Sequence, residues 1–191
     1  MQGNLSGEAR ERLQVIDQSL QRAGRKLCSL LLIAQPGGQK QLISLAQMMD
    51  DLLALVHFQI VMDKVLLKSD LDAQCRWEGM AGELARAVLY VLNNAIEAVA
   101  GRPNPVISVV VERNVSQNSI RISNNGLAIP EAVRARIFEP FFSTKGGRHN
   151  GVGLYLANEI VSAAGGAIEL IESGEGQTTA FAIQLPANVH D

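Results

Sequence analysis

The sequence predicts an α+β domain preceded by a long helix, and three observations support this class. Residues 80–100 and 152–165 carry apolar side chains at helical spacing. Residues 106–123 and 167–185 alternate apolar and polar side chains around short polar turns, a pattern typical of antiparallel hairpins. Residues 8–35 repeat apolar side chains in steps of three and four over about three heptads, which is typical of a helix that packs on another helix.

Pro36-Gly37-Gly38 interrupts this helical pattern and divides the chain into residues 1–37 and a larger domain, 38–191. Because the break separates the helix from the larger domain, we expect its apolar seam to join an intermolecular helical bundle. Folding back onto its own domain is the alternative.

Three weaker patterns complete the order of elements within the larger domain. A second helix is expected over residues 39–62, with Leu42 on its apolar face, and a short strand over 65–67. Residues 68–79 are polar and turn-rich, with Trp77 as a packing anchor. Pro130 is expected to open a short helix over 131–137.

Composition narrows the classes of function. The chain has 191 residues, 47% of them hydrophobic and 19% charged, as expected for a globular protein with a substantial core. Its net charge is −2, so it has no excess of basic residues of the kind that is typical of a nucleic-acid-binding protein. No apolar run approaches the ~20 residues of a membrane span, and residues 1–19 do not resemble a signal peptide. Cys28 and Cys75 lie far apart and are expected to be thiols in a reducing compartment.

Residues 138–161, FEPFFSTKGGRHNGVGLYLANEIV, join an aromatic segment to a polar glycine-rich loop and then to a helix. Unpaired N–H groups at a helix N-terminus favour an anion. Gly151 and Gly153 would let that anion approach the backbone, and Lys145 adds a positive charge. The segment therefore suggests phosphate binding, although an ordinary surface loop before a helix would have the same composition.

An asparagine pair in the middle of the helix 80–100 also requires a reason, because asparagine is a mediocre helix former. Asn94 stands about one turn from both Tyr90 and Glu97, so these side chains share a stripe of the helix. Oxygen atoms on such a stripe suit a hard cation such as Mg²⁺. A solvated polar face is the alternative.

Four motifs follow one another along the chain: LNNAIEA at residues 92–98, SNNGLAIP at 123–130, FEPFFSTK at 138–145 and GVGLYLANEIV at 151–161. In that order they resemble the N box, first glycine box, F box and second glycine box of the ATP-binding domain of sensor histidine kinases. This domain belongs to the GHKL superfamily, which includes gyrase-type ATPases, and the likeness is to its nitrogen-regulatory subtype. The resemblance covers about residues 60–186.

The resemblance implies a two-layer α/β sandwich, in which helices cover one face of a mixed sheet. It implies a protein histidine kinase whose catalytic domain presents the γ-phosphate of Mg-ATP to a histidine not present in this chain. A response regulator would then receive the phosphoryl group. Residues 13–36 resemble the second helix of the kinase dimerisation hairpin, which implies a homodimer through residues 8–35. The location implied is cytoplasmic, or the cytoplasmic part of a membrane sensor, with no direct membrane contact by this chain.

The resemblance also assigns roles to individual residues. Asn94 would hold Mg²⁺ against the triphosphate, and Lys145 would reach the phosphates from a mobile lid; these two are the expected catalytic residues. Asn124 would read the adenine amino group. The complete set of expected nucleotide-binding residues is Asn94, Asn124, Gly126, Ala128, Ile129, Phe138, Thr144, Lys145, Gly151, Val152, Gly153 and Leu154.

Three positions depart from the family pattern. Asn124 replaces an aspartate, and loss of a charge-assisted hydrogen bond would weaken binding by about 1–2 kcal/mol. Ala128 replaces a glycine, and Tyr90 stands where the kinases commonly have asparagine and gyrase-type ATPases have a glutamate base. These departures motivate an alternative, a degenerate signalling module with weak or no nucleotide binding. The missing glutamate argues against a third possibility, a dedicated gyrase-type ATPase.

None of the three histidines fits the phosphoacceptor, which the family places on the first helix of its hairpin, before an acidic residue. His57 precedes Phe58, His149 lies in the expected lid, and His190 lies near the end of the chain. We therefore expect the chain to be a fragment cut inside the hairpin, with a protein unable to autophosphorylate as the alternative.

Overall fold

The computed structural model describes residues 39–114, 116–144, 151–173 and 178–187. All of them belong to one compact unit, Gly37–Asp191. The helix predicted over residues 8–35 lies outside the described residues, and so do Lys145, His149 and His190.

The described elements are seven strands and four helices. The strands are β1 (Gln41–Ser44), β2 (Leu66–Leu71), β3 (Arg76–Gly79), β4 (Val106–Arg113), β5 (Gln117–Asn124), β6 (Ala167–Ser173) and β7 (Thr178–Pro186). The helices are α1 (Leu45–Met62), α2 (Ala81–Val99), α3 (Glu131–Arg134) and α4 (Gly153–Ala163).

Five strands form one mixed sheet in the order β2-β4-β5-β7-β6, and β1 pairs with β3 separately. β2 runs parallel to β4, and the other neighbours are antiparallel. Alternate side chains of the central strands are buried under α2 and α4: Ile107, Val109, Val111, Ile120, Ile122, Phe181, Ile183 and Leu185. The α+β class and the two-layer sandwich predicted from the sequence are confirmed.

Helix α2 supplies the centre of the helical layer. Its apolar side chains recur at steps of three and four, so they form one stripe that faces the sheet. Leu84, Val88, Leu92 and Ile96 are at most 1% exposed. Because this face is buried, the remaining polar side chains of α2 are directed toward its edges, where Asn93 is exposed and Asn94 is half-buried.

The helix predicted over residues 39–62 begins later than expected. Gln41–Ser44 form β1, and Leu42 is 61% exposed instead of lying on a buried helical face. The Ser44 hydroxyl accepts a hydrogen bond from the Gln47 N–H at 3.3 Å and so caps α1. The Ser44-x-x-Gln47 spacing is a capping-box signature that the apolar periodicity obscured.

The prediction of a turn-rich segment over residues 68–79 was wrong, since it contains most of β2 and all of β3. β2 reads as polar because it is an edge strand with mainly exposed side chains. Trp77 is 3% exposed, as expected of a packing anchor. Its ring covers Gly79 so closely that a Cβ there would overlap it.

The helix predicted over residues 131–137 is shorter, because α3 ends at Arg134. The Arg134 Nε donates a hydrogen bond to the Ile129 carbonyl at 3.1 Å and ties α3 to the segment before it. Turns follow up to Phe141, whose φ of +63° lies in the left-handed region. The aromatic segment is therefore built from turns rather than from a continued helix.

Of the described helices, α1 is long and apolar enough to cross a membrane by length and composition, criteria that a core helix also meets. Seven of its side chains, including Leu45, Met49 and Ile60, are buried. α1 packs on α2, β1 and β2. Its buried side chains thus belong to the core of the domain, whereas Val61 and Met62 at its end are exposed.

Cys75 is fully buried just before β3, and its carbonyl accepts a hydrogen bond from the Leu45 N–H at 3.0 Å. Burial, with a smaller contribution from the neighbouring Asp72 carboxylate, raises the pKa of the Cys75 thiol from 9.0 to about 11. The thiol is therefore uncharged at neutral pH.

Candidate functional site

The candidate site begins at the carboxyl end of β5, where a polar side chain lies between the sheet and the helices. Asn124 is the last residue of β5 and only 2% exposed. Its Oδ1 accepts a hydrogen bond from the Gly126 N–H at 2.9 Å, and its Nδ2 donates to the Thr179 carbonyl at 3.3 Å. A flipped amide would set donor against donor and acceptor against acceptor, so these two neighbours determine its orientation.

Gly126 brings the turn after β5 against the last turn of α2. A Cβ at Gly126 would lie 2.6 Å from Asn124 Oδ1 and 2.7 Å from the Ala98 carbonyl oxygen. Only glycine allows this approach. Ala98 follows Asn94 by about one helical turn, so the close contact places the first glycine box beside the N box.

Asn125 has a different role from that of its neighbour. Its Oδ1 accepts a hydrogen bond from the Val106 N–H at 2.8 Å, and its Nδ2 donates to the Asn104 carbonyl at 2.8 Å. Asn104 has a φ of +49° in the turn between α2 and β4. Asn125 therefore anchors that turn, while Asn124 lies in the interior.

Thr179 is a residue of this site that the sequence reasoning missed. It is 3% exposed and pairs with Asn124 across β5 and β7. Its hydroxyl donates a hydrogen bond to the Leu127 carbonyl at 3.3 Å. The alternation of β7 places Thr179 on the same face as Phe181, and this inward position was the available signal.

The N-terminus of α4 forms the opposite part of the site. Val152 precedes the helix without making a side-chain capping bond, and the first turn carries no acidic residue. A Cβ at Gly153 would lie 3.6 Å from Tyr90 Cδ1, an ordinary van der Waals distance. Tyr90 of α2 therefore lines the start of α4, and packing alone does not require glycine at position 153.

Gly151 differs from Gly153 in both conformation and surroundings. Its φ is +62°, and a Cβ there would lie 2.6 Å from the carbonyl carbon of Phe141 and the carbonyl oxygen of Phe142. The backbone of the F box thus passes directly over Gly151. Only glycine allows residue 151 to lie this close to the backbone of Phe141 and Phe142.

Aromatic and charged side chains organise the F box. The Phe138 ring meets Phe181 edge to face, with centroids 6.4 Å apart and planes at 82°. The Arg136 guanidinium lies 4.4 Å from the centroid of the Phe142 ring, and its Nε donates to the Glu139 carboxylate at 3.0 Å. Phe138 is therefore anchored on the sheet that also carries Asn124.

The structure places most of the predicted site residues on or next to α2, β5 and α4. Asn124 and Gly126 lie where the turn after β5 meets Ala98 in the last turn of α2, and Asn94 is about one turn earlier on that helix. Gly151 and Gly153 flank the start of α4, with Phe138 on the side of the sheet. Three further predicted residues, Val152, Leu154 and Ile129, are half-buried, whereas Ala128 and Thr144 are exposed. Lys145 lies outside the described residues, so its predicted role remains a prediction.

No group of three or more His, Cys, Asp or Glu side chains within the described ranges could hold a metal ion. A magnesium ion bound with a triphosphate needs only one or two protein ligands, because phosphate oxygens and water supply the others. Asn94, the predicted magnesium ligand, is half-buried on α2, and its role remains a prediction.

Comparison with known proteins places these observations in a family. Residues 79–189 match the family described as histidine kinase-, DNA gyrase B-, and HSP90-like ATPase, and the chain belongs to this family. It is 31% identical over 180 residues to the signal transduction histidine-protein kinase AtoS of Escherichia coli, covering 93% of this chain and 29% of AtoS. It is 27% identical over 194 residues to sporulation kinase E of Bacillus subtilis, covering 97% of this chain and 25% of that kinase.

Solved structures agree with this assignment. The catalytic domain of the histidine kinase ThkA aligns with a TM-score of 0.68 at 25% identity, covering 78% of this chain and 98% of that one. The Acinetobacter baumannii histidine kinase AdeS shares the fold, with a TM-score of 0.65 at 18% identity, covering 97% of this chain and 87% of that one.

These comparisons define the class of domain. The chain carries the ATPase domain of the histidine kinase type, and its relatives are two-component sensor kinases. The alternative of a degenerate signalling module is not favoured. The chain spans less than a third of the length of AtoS and of sporulation kinase E.

Proposed function

We propose that this domain binds Mg-ATP between α2, the carboxyl end of β5 and the start of α4. The γ-phosphate would be presented to a histidine outside this chain. The observation that carries the proposal is Gly153, which begins an eleven-residue helix with no side-chain cap. Its surroundings would accommodate a Cβ, so the absence of a side chain is best explained by a ligand that approaches the backbone.

The base would lie between Asn124 and the apolar side chains of Ile129 and Phe138. Asn124 is held at the end of β5 by its bonds to Thr179 and Gly126, so its position is set before a ligand arrives. Preorganisation of this kind lowers the entropic cost of binding.

Asn94 would supply an oxygen ligand to Mg²⁺, and the N–H groups around Gly153 would bind phosphate oxygens. Gly151, Val152 and Leu154 would shape that phosphate site, and Thr144 and Lys145 would close it from the lid. When bound, Mg-ATP supplies the phosphoryl group that is transferred. The phenol of Tyr90 in place of a carboxylate favours transfer to a histidine over activation of water, because phosphoryl transfer depends mainly on positioning and electrostatics.

The partners follow from the same proposal. Residues 8–35 would form a homodimer through their apolar seam, and a response regulator would receive the phosphoryl group from the histidine. The proposed location is cytoplasmic, with the sensory part of the protein outside this chain. The likeness to two-component sensor kinases supports these proposals.

Calorimetric titration with Mg-ATP and Mg-ADP tests the site through a matched pair of variants. Asn94→Ala should weaken Mg-ATP binding by at least about tenfold, because a ligand that contacts the metal and triphosphate is lost. Asn93→Ala changes the same residue type one position earlier on the exposed side of α2, and should leave affinity unchanged. Removing Mg²⁺ with EDTA should weaken binding to the wild type more than to Asn94→Ala.

The absence of heat up to millimolar nucleotide, from a protein with a cooperative thermal transition, would refute the proposal. If Asn94→Ala and Asn93→Ala lost the same amount of affinity for Mg-ATP, Asn94 would not be a residue of the site, although the domain would still bind nucleotide.

A further inference from the structure

The amide of Asn124 has unused hydrogen-bonding capacity of two kinds. A primary amide carries two N–H donors and an oxygen with two lone pairs. Within the described residues, the Thr179 carbonyl takes one donor and the Gly126 N–H takes one lone pair. One donor on Nδ2 and one lone pair on Oδ1 therefore have no partner among the described residues.

A carboxylate at this position would present a different surface. It would be an acceptor only, and one of its oxygens would take the place of Nδ2 beside the Thr179 carbonyl. Such an oxygen could pair with the 6-amino group of adenine but would repel the 6-oxo group of hypoxanthine or guanine. The Asn124 amide, by contrast, can donate to an oxo group through Nδ2 or accept from an amino group through Oδ1.

We propose that Asn124 makes this site accept purine nucleoside triphosphates with either a 6-amino or a 6-oxo group. The inference rests on the proposed function, since it concerns the base held at the same site. Burial strengthens the effect, because Asn124 and Thr179 are 2% and 3% exposed. A mismatched polar group there would find little water to pair with, so discrimination depends on which donors and acceptors the side chain offers.

The test compares Mg-ATP with Mg-ITP by calorimetric titration of the whole chain. Inosine triphosphate carries a 6-oxo group but lacks the 2-amino group of guanine, so the comparison changes the edge that Asn124 faces without adding bulk. The two affinities of the wild type should agree to within about tenfold. Asn124→Asp should favour ATP over ITP by at least about tenfold more than the wild type does, because the donor is lost.

Asn93→Asp is the control for added negative charge, since it makes the same chemical change at an exposed position of α2. Its repulsion acts on both triphosphates alike, so the ratio of the ATP and ITP affinities should stay at the wild-type value. Thermal unfolding of each variant accompanies the titrations. The wild-type ratio decides the question by itself if Asn124→Asp does not fold.

A wild-type preference for ATP over ITP of more than about tenfold would overturn the inference and leave the proposed function intact. So would an unchanged ratio in a folded Asn124→Asp. If the folded wild type binds neither nucleotide, both the inference and the proposed function are wrong.

Discussion

Replacing Gly153 with alanine separates the stability of the fold from binding at the start of α4. Gly153 is not one of the described glycines with a positive φ. An added Cβ would lie 3.6 Å from Tyr90 Cδ1. Alanine therefore fits without strain. Because alanine has the higher helix propensity, we expect the free energy of unfolding to change by between 0 and about +1 kcal/mol.

Gly153→Ala should weaken nucleotide binding, in contrast to its small effect on the stability of the fold. The new methyl group would occupy the space through which a phosphate oxygen reaches the backbone N–H groups of α4. Hydrogen bonds to charged groups contribute about 1.5–3 kcal/mol, so their loss should weaken Mg-ATP binding by roughly 10- to 150-fold.

Two other glycines provide the matched comparisons. Gly151→Ala combines a φ of +62° with backbone atoms 2.6 Å from the new Cβ, and should destabilise the fold by about 2–5 kcal/mol. Gly82→Ala lies in the first turn of α2 with no atom within 4 Å of a new Cβ. It should change the free energy of unfolding by the same 0 to about +1 kcal/mol and leave nucleotide binding unchanged.

Urea denaturation and calorimetric titration of the three variants measure both quantities. Loss of binding in Gly153→Ala together with wild-type stability is the expected signature of a residue that admits a ligand. A folded Gly153→Ala that binds Mg-ATP within about threefold of the wild type would refute the reasoning. Destabilisation of Gly153→Ala comparable to that of Gly151→Ala would show instead that packing requires the glycine.

Two further predictions concern stability. Asn125→Ala should lower the free energy of unfolding by about 1–3 kcal/mol, because the Val106 N–H and the Asn104 carbonyl lose their partners. Urea denaturation measures this free energy. A change below about 0.5 kcal/mol would contradict the anchoring role of Asn125. For Cys75, the folded-state pKa of about 11 lies above the reference value of 9.0. Its neutral thiol therefore stabilises the fold fully below pH 9, and this contribution decreases as pH rises toward 11. Stability should fall more steeply between pH 9 and 11 in the wild type than in Cys75→Ala, and parallel curves would rule out the effect.

The sequence by itself determined the class of fold and most of the strongly periodic elements. The α2 pattern and the two hairpins could be predicted because their apolar periods reflect which face each element buries. The start of β2 could be predicted from the apolar residues 65–67. Its polar remainder and the short pair β1 and β3 could not, because an exposed strand leaves little apolar pattern and Trp77 is the one large buried side chain of β3. Local propensity was overridden there by pairing between segments distant in sequence.

The candidate site was likewise predicted in part from the sequence, and the rest was shown only by the tertiary structure. Its motifs and their order could be read from the chain through the resemblance to the kinase family, whereas each motif alone had an ordinary structural explanation. Only the tertiary structure showed that Asn125 anchors the turn before β4 while Asn124 lies in the interior, since adjacent residues at a strand end face opposite sides. It alone separated Gly151, which the F-box backbone requires, from Gly153, which packing does not require. It also added Thr179, whose place beside Asn124 arises from strand register and not from nearness in sequence.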